Sequence, residues 1–138
     1  MNAEALNTLV TGAIWRAEQL EEKDVPAVAH AWLEVSVLEE RLAQVLPHSK
    51  GEGRIARRGA VRAALKANDY DRARLLAEMY GAEKGASRAL KAALREMLEE
   101  NARQAASRYP NAARHYNVRE VRDVARHFHE GGAFGLAA

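Results

Sequence analysis

The stretch that most constrains the fold runs from Gly59 to Asn101, G-A-V-R-A-A-L-K-A-N-D-Y-D-R-A-R-L-L-A-E-M-Y-G-A-E-K-G-A-S-R-A-L-K-A-A-L-R-E-M-L-E-E-N. It reads as a helix ending at Ala67, a tight Asn68-Asp69 turn, a second helix to Tyr80 and, after Gly81, a third and longer one. Asn68 suits a helix C-terminus because its short polar side chain tolerates a left-handed backbone. Asp69 can accept from the free N–H groups of the next first turn, and Gly81 can close the second helix as Asn68 closes the first. Helices joined by so short a turn lie antiparallel, so this stretch predicts a local helical hairpin.

The same signals extend along the chain. Leu6, Leu9, Val10, Ala13, Ala17 and Leu20 share one face of an expected helix from about Ala3 to Glu22, with Ile14 and Trp15 widening the stripe. Asp24 and Pro26 begin a second helix, to about Leu46, whose buried face is Val28, Trp32, Val35, Leu42 and Val45. Pro47 to Gly53 (P-H-S-K-G-E-G) is the clearest loop, followed by a helix from about Arg54 to Ala67. The helix after Gly81 is expected from about Ala82 to Ser107, and a last one from Val118 to about His129, with Val121, Ala125 and Phe128 inward.

These elements give an all-α fold, a compact bundle of about six helices arranged as antiparallel hairpins. The chain's 138 residues are the usual size of one domain. That domain is expected over residues 1–130, with an acidic hairpin at 1–46, a hinge at 47–53 and a basic helical part at 54–130. Residues 131–138 form a C-terminal docking tail whose apolar anchors are Phe134 and Leu136. A faint internal repeat sets Leu20, Asp24 and Val28 against Leu65, Asp69 and Ala73. The stretch A-L-K-A-N-D-Y-D-R-A-R is similar to the turn inside tetratricopeptide-type helical hairpins, without the full repeat signature.

Composition enters as a set of exclusions. The chain has no Cys, so it has neither a disulfide framework nor a thiolate metal site, and a reducing cytoplasm is the expected setting. No apolar run approaches the roughly 20 residues that span a bilayer. The start, M-N-A-E-A-L-N, lacks the basic and apolar regions of a secretory signal. No phosphate loop, nucleophile elbow or dinucleotide fingerprint occurs. His127 and His129 stand two apart on different sides of a helix, and Asp123 with His127 has no third ligand in sight, so no metal site and no cofactor is expected.

Charge is dipolar. Residues 1–49 carry three bases against eight acids, and residues 50–74 carry eight bases against three acids. Arg54, Arg57, Arg58 and Arg62 lie about one turn apart on one expected helix face, flanked by Lys50 and Lys66. Guanidinium forks pair with carboxylate or phosphate oxygens, so this face predicts an acidic protein surface, a second copy of the chain or a nucleic-acid backbone as partner. No aromatic residue interleaves the arginines to stack bases. The expected function is therefore a non-catalytic interaction or assembly subunit, with an enzyme reading left open.

One motif points elsewhere. Arg108 and His115 in S-R-Y-P-N-A-A-R-H-Y resemble the R-x(4–6)-H motif of HEPN-type ribonucleases, and A-E-K-G-A-S-R-A-L-K-A-A-L is similar to that family's second helix. The resemblance implies a small all-helical dimer that cleaves RNA without metal. Arg108 would stabilise the charge on phosphorus and His115 would act as acid or base. Pro110 departs from the motif and gives Arg108 a second reading, as a cation at a helix C-terminus.

Overall fold

A computed structural model describes residues 1–23 and 25–108, and the chain is helical through nearly all of them. Among the described residues there are five helices: α1 (Ala3–Leu20), α2 (Val25–Val45), α3 (Gly51–Lys66), α4 (Tyr70–Gly81) and α5 (Arg88–Arg108). The sixth expected helix, at 118–129, lies outside the described residues. No described helix is long and apolar enough to cross a membrane.

Helix α1 starts where Asn2 Oδ1 accepts from the Ala5 N–H at 2.8 Å. It buries Leu6, Val10, Ala13 and Ala17. Ile14 packs at the edge of the core, whereas Leu9 and Trp15 point outward, Trp15 with 62 % of its surface exposed. Helix α2 lies between α1 and α3, so it buries residues on two sides: Trp32, Val35, Leu38 and Leu42, with Ala31, Ser36 and Ala43. Trp32 keeps its indole N–H satisfied by donating to Glu21 Oε1 at 2.8 Å, and its ring lies 4.3 Å from Lys66 Nζ.

Helix α3 touches α2, α4 and α5. It can do so because Ala56, Ala60, Ala63 and Ala64 are small and almost completely covered, which lets neighbouring backbones approach closely. It begins at Gly51, not Arg54, so the expected 47–53 loop is helical from its fifth residue. Gly53 then lies against the end of α2. A Cβ there would stand 1.9 Å from the Pro47 carbonyl oxygen, so the first turn of α3 can sit where it does only with glycine.

The Asn68-Asp69 turn forms as its residues dictate. Asn68 is left-handed (φ 59°), Asp69 N–H reaches back to the Ala64 carbonyl at 2.9 Å, and Asn68 N–H reaches Leu65 at 3.0 Å. Asp69 Oδ1 accepts from Arg72 N–H at 3.1 Å and caps α4. At the other end of α4, Gly81 remains helical and the left-handed glycine is Gly85 (φ 84°). A turn over 82–87 therefore replaces the expected start of the last long helix. Helix α5 begins at Arg88, with Ser87 Oγ accepting from Leu90 N–H at 3.1 Å.

Candidate functional site

The structure separates the arginines that the sequence set on one face. Arg57 is internal, 5 % exposed. Its guanidinium donates to both oxygens of Glu83, at 2.7 and 3.1 Å, and to the carbonyls of Leu46 (2.8 Å), Gly53 (2.9 Å) and Ala43 (3.2 Å). It also lies 5.4 Å from the centre of the Tyr80 ring. The reason lies in α2. Pro47 stands four residues after Ala43 and has no N–H, so the Ala43 carbonyl has no partner within its own helix. Arg57 supplies the missing donor and closes the C-terminus of α2. Arg54 is held nearby, donating to the carbonyls of His48 and Ser49 at 3.0 Å each. Lys50 is exposed at the N-cap of α3, with no side-chain capping bond.

The remaining members, Arg58, Arg62 and Lys66, line an open groove of about 1300 Å³ between α3 and α5. Arg103 and Arg108 of α5 line it too, together with Glu21, Glu96 and Glu100. Lys66 stands 4.0 Å from Glu21, and Arg103 holds Glu100 at 2.6 Å, a hydrogen bond that keeps the Glu100 carboxyl below its ordinary pKa. Among the described residues no ion pair engages Arg58 or Arg108. Ile55 and Tyr70 are half exposed on this groove. Its apolar end is a smaller hollow of about 180 Å³ bounded by Leu65, Tyr70, Leu98, Asn101, Ala102 and Ala105.

Beneath the arginine wall lies Glu39 of α2, 7 % exposed and facing Gly59 of α3. Burial pushes its carboxyl up to about 7 from 4.5, against the opposing pull of Arg62. A second polar cluster ties α2, α3 and α4 together. Arg72 donates to Glu40 at 2.6 Å and to Ser36 Oγ at 2.9 Å, and Ser36 Oγ–H donates to the Ala60 carbonyl at 2.7 Å. Tyr80, whose buried hydroxyl has no hydrogen-bond partner among the described residues, has its pKa raised by burial and by Glu40. Arg103 was missed as a groove residue by sequence reasoning. Its spacing from Glu100 signals a local ion pair, and nothing local signals that it faces α3.

Arg108 closes the last turn of α5, exposed, where a cation meets the negative end of the helix dipole. His115, Phe134 and Leu136 lie outside the described residues, as does the tail 131–138. Among the described residues no three His, Asp or Glu side chains come together to hold a metal ion. Comparison with family models, with curated proteins and with solved structures finds no match to the chain.

Proposed function

We propose that this chain is a non-catalytic interaction or assembly subunit that holds an acidic partner on the walls of the groove between α3 and α5. The observation that carries the reading is the meeting of Arg58, Arg62 and Lys66 from one helix with Arg103 and Arg108 from another. The guanidinium forks of Arg58 and Arg108, which no ion pair engages among the described residues, are suited to carboxylates or phosphates brought by a partner. Glu96 and Glu100 alternate with these cations along the groove. Mixed signs favour a protein surface, which can answer both charges, over the uniform charge of a nucleic-acid backbone. The C-terminal tail with Phe134 and Leu136 belongs to the same assembly reading. The helices are read as antiparallel hairpins, supported by contacts that run in opposite order along neighbours: Arg16 with Glu34 and Glu21 with Trp32, then Ser36 with Ala60 and Leu46 with Arg57.

Fluorescence anisotropy with a labelled glutamate-rich peptide, a single-stranded RNA and a DNA duplex, across a salt series, tests the reading. Binding of at least the peptide is expected, weakened tenfold or more in an Arg58→Glu, Arg108→Glu double variant. Nucleic acid as the true partner would show a log–log salt slope of about −3 to −4 for some four neutralised phosphates. Failure to bind any of the three, or binding indifferent to the double variant, refutes the proposal. Ribonuclease activity is the competing reading, since Arg108 lies on the groove wall. RNA cleavage that persists in EDTA and is lost in both Arg108→Ala and His115→Ala would establish it instead.

A further inference from the structure

Helix α5 carries an apolar seam that outruns its neighbours. Leu90 and Leu94 are buried, at 1 % and 2 % exposure. Leu98, still packed against the edge of the core, and then Ala102 and Ala105 continue the same seam at helical spacing, but they are only partly buried and line the apolar hollow with Leu65 and Tyr70. Among the described residues the packing that covers the first half of the seam therefore thins out while the pattern that calls for it goes on. Ile55 and Tyr70 add exposed apolar surface to the same groove.

The chain continues for thirty residues beyond Arg108, itself on the groove wall. Within them, V-R-E-V-R-D-V-A-R-H-F-H at 118–129 has a helical pattern complementary to this opening. Wound as a helix, Val118, Val121, Val124, Ala125 and Phe128 would occupy an arc of about 120°, a stripe as wide as a core-facing helix presents. Arg119, Arg122 and Arg126 would border one edge of that stripe, and Glu120 and Asp123 the other side. The groove likewise offers both signs, Arg58, Arg62 and Lys66 from α3 and, from α5, Glu96 and Glu100 among Arg103 and Arg108.

We propose that residues 118–129 of this same chain seat as a helix over the apolar seam of α5, between the walls of the α3–α5 groove. The reach is sufficient. Twelve helical residues are about 18 Å long, close to the ~15 Å of α5 from Leu98 to Arg108. The nine residues at 109–117 can span up to about 30 Å, enough to turn back alongside α5. Tethering decides between this chain and a second copy. A short linker holds the segment at an effective concentration on the order of 1 mM, roughly a thousandfold above a second chain present at micromolar concentration. Docking rests first on the apolar floor, and the segment would share the charged walls with the acidic partner proposed above.

The absence of cysteine makes a direct test clean. A benzophenone photoprobe attached at Ala102→Cys in the full chain labels one position only, and mass spectrometry maps what it captures without assuming a register. Equal amounts of light- and heavy-isotope protein separate capture within a chain from capture between chains. Capture of 118–129 within one chain is the expected result. Capture only between chains, capture elsewhere, or none overturns the proposal. In a second measurement, trypsin cleavage at Arg119, Arg122 and Arg126 is expected to be at least tenfold faster in Leu98→Asp than in the unaltered chain. Equal rates, with helix content retained, also overturn it. Neither readout depends on peptide, RNA or DNA binding, so either proposal can fail without the other.

Discussion

Replacing Arg57 with methionine isolates the buried arginine from the exposed ones. Methionine keeps much of the aliphatic stem but removes all five guanidinium hydrogen bonds and the guanidinium that lies over the Tyr80 ring. The consequences differ by acceptor. The Gly53 carbonyl lies four residues before Arg57 in α3 and keeps its helical partner, so it loses little. The Ala43 and Leu46 carbonyls are left without their guanidinium donor, at about 1–3 kcal/mol for each buried group. Glu83, with 29 % of its side chain exposed, can recover water, so its loss is smaller than that of a fully buried carboxylate. Side-chain entropy offsets little of this, because a buried methionine gives up about as much rotamer freedom as an arginine. The net expectation is a loss of about 3 kcal/mol in urea unfolding, with Arg57→Lys intermediate because an ammonium cannot fork to Glu83 and two carbonyls together. A double-mutant cycle with Glu83→Gln separates the two roles. Most of the cost should persist in the Glu83→Gln background, because the carbonyls are orphaned either way. A loss under 1 kcal/mol, or one abolished by Glu83→Gln, would refute the capping argument. Arg57→Met should also leave peptide binding unchanged at temperatures where it is folded, unlike Arg58→Glu.

Two glycines of α3 should respond oppositely to alanine. At Gly53 the new Cβ meets the Pro47 carbonyl at 1.9 Å, so Gly53→Ala is expected to destabilise by at least 1–3 kcal/mol in thermal or urea melts despite alanine's better helix propensity. At Gly59 it meets the movable Glu39 carboxylate at 2.6 Å, and Gly59→Ala should change stability by less than about 1 kcal/mol; equal losses at both sites would refute the distinction. Glu39, raised to about 7 by burial, stabilises the fold in its protonated form relative to its ionised form below pH 4.5, and that stability is lost as pH rises through about 7. Glu39→Gln should therefore gain up to about 3 kcal/mol over the unaltered chain at pH 8 relative to pH 4, measured by urea unfolding, and a pH-independent difference would count against it.

What was legible in the sequence was what short-range geometry settles. Asn68 and Asp69 could be read because their bonds close within five residues, to Ala64, Leu65 and Arg72. The stripe of Leu6, Val10, Ala13 and Ala17 and the burial of Trp32 follow from the helical repeat, which a sequence carries openly. The same repeat reads poorly at its margins. Leu9, Trp15, Val45 and Ile55 are as apolar as their buried neighbours, and their exposure depends on how wide a face the next helix covers.

The candidate site was only half legible for the same reason. Arg58, Arg62 and Lys66 do stand on one groove, but Arg57, adjacent to Arg58 in sequence, is turned about 100° around the helix axis and enters the interior. Nothing in its own surroundings distinguishes it. Its role arises from a carbonyl left open by Pro47 and from Glu83, twenty-six residues away. The contribution of Arg103 and Arg108 to the groove, and the burial of Glu39 against Gly59, likewise exist only once α3 lies between α2 and α5. The sequence by itself determined that helices form and how the Asn68-Asp69 turn closes, because hydrogen bonds between near neighbours depend on residue type and spacing. Which arginines face solvent and which close a helix was decided by tertiary packing, because burial and long-range pairing depend on distances that spacing along the chain does not encode.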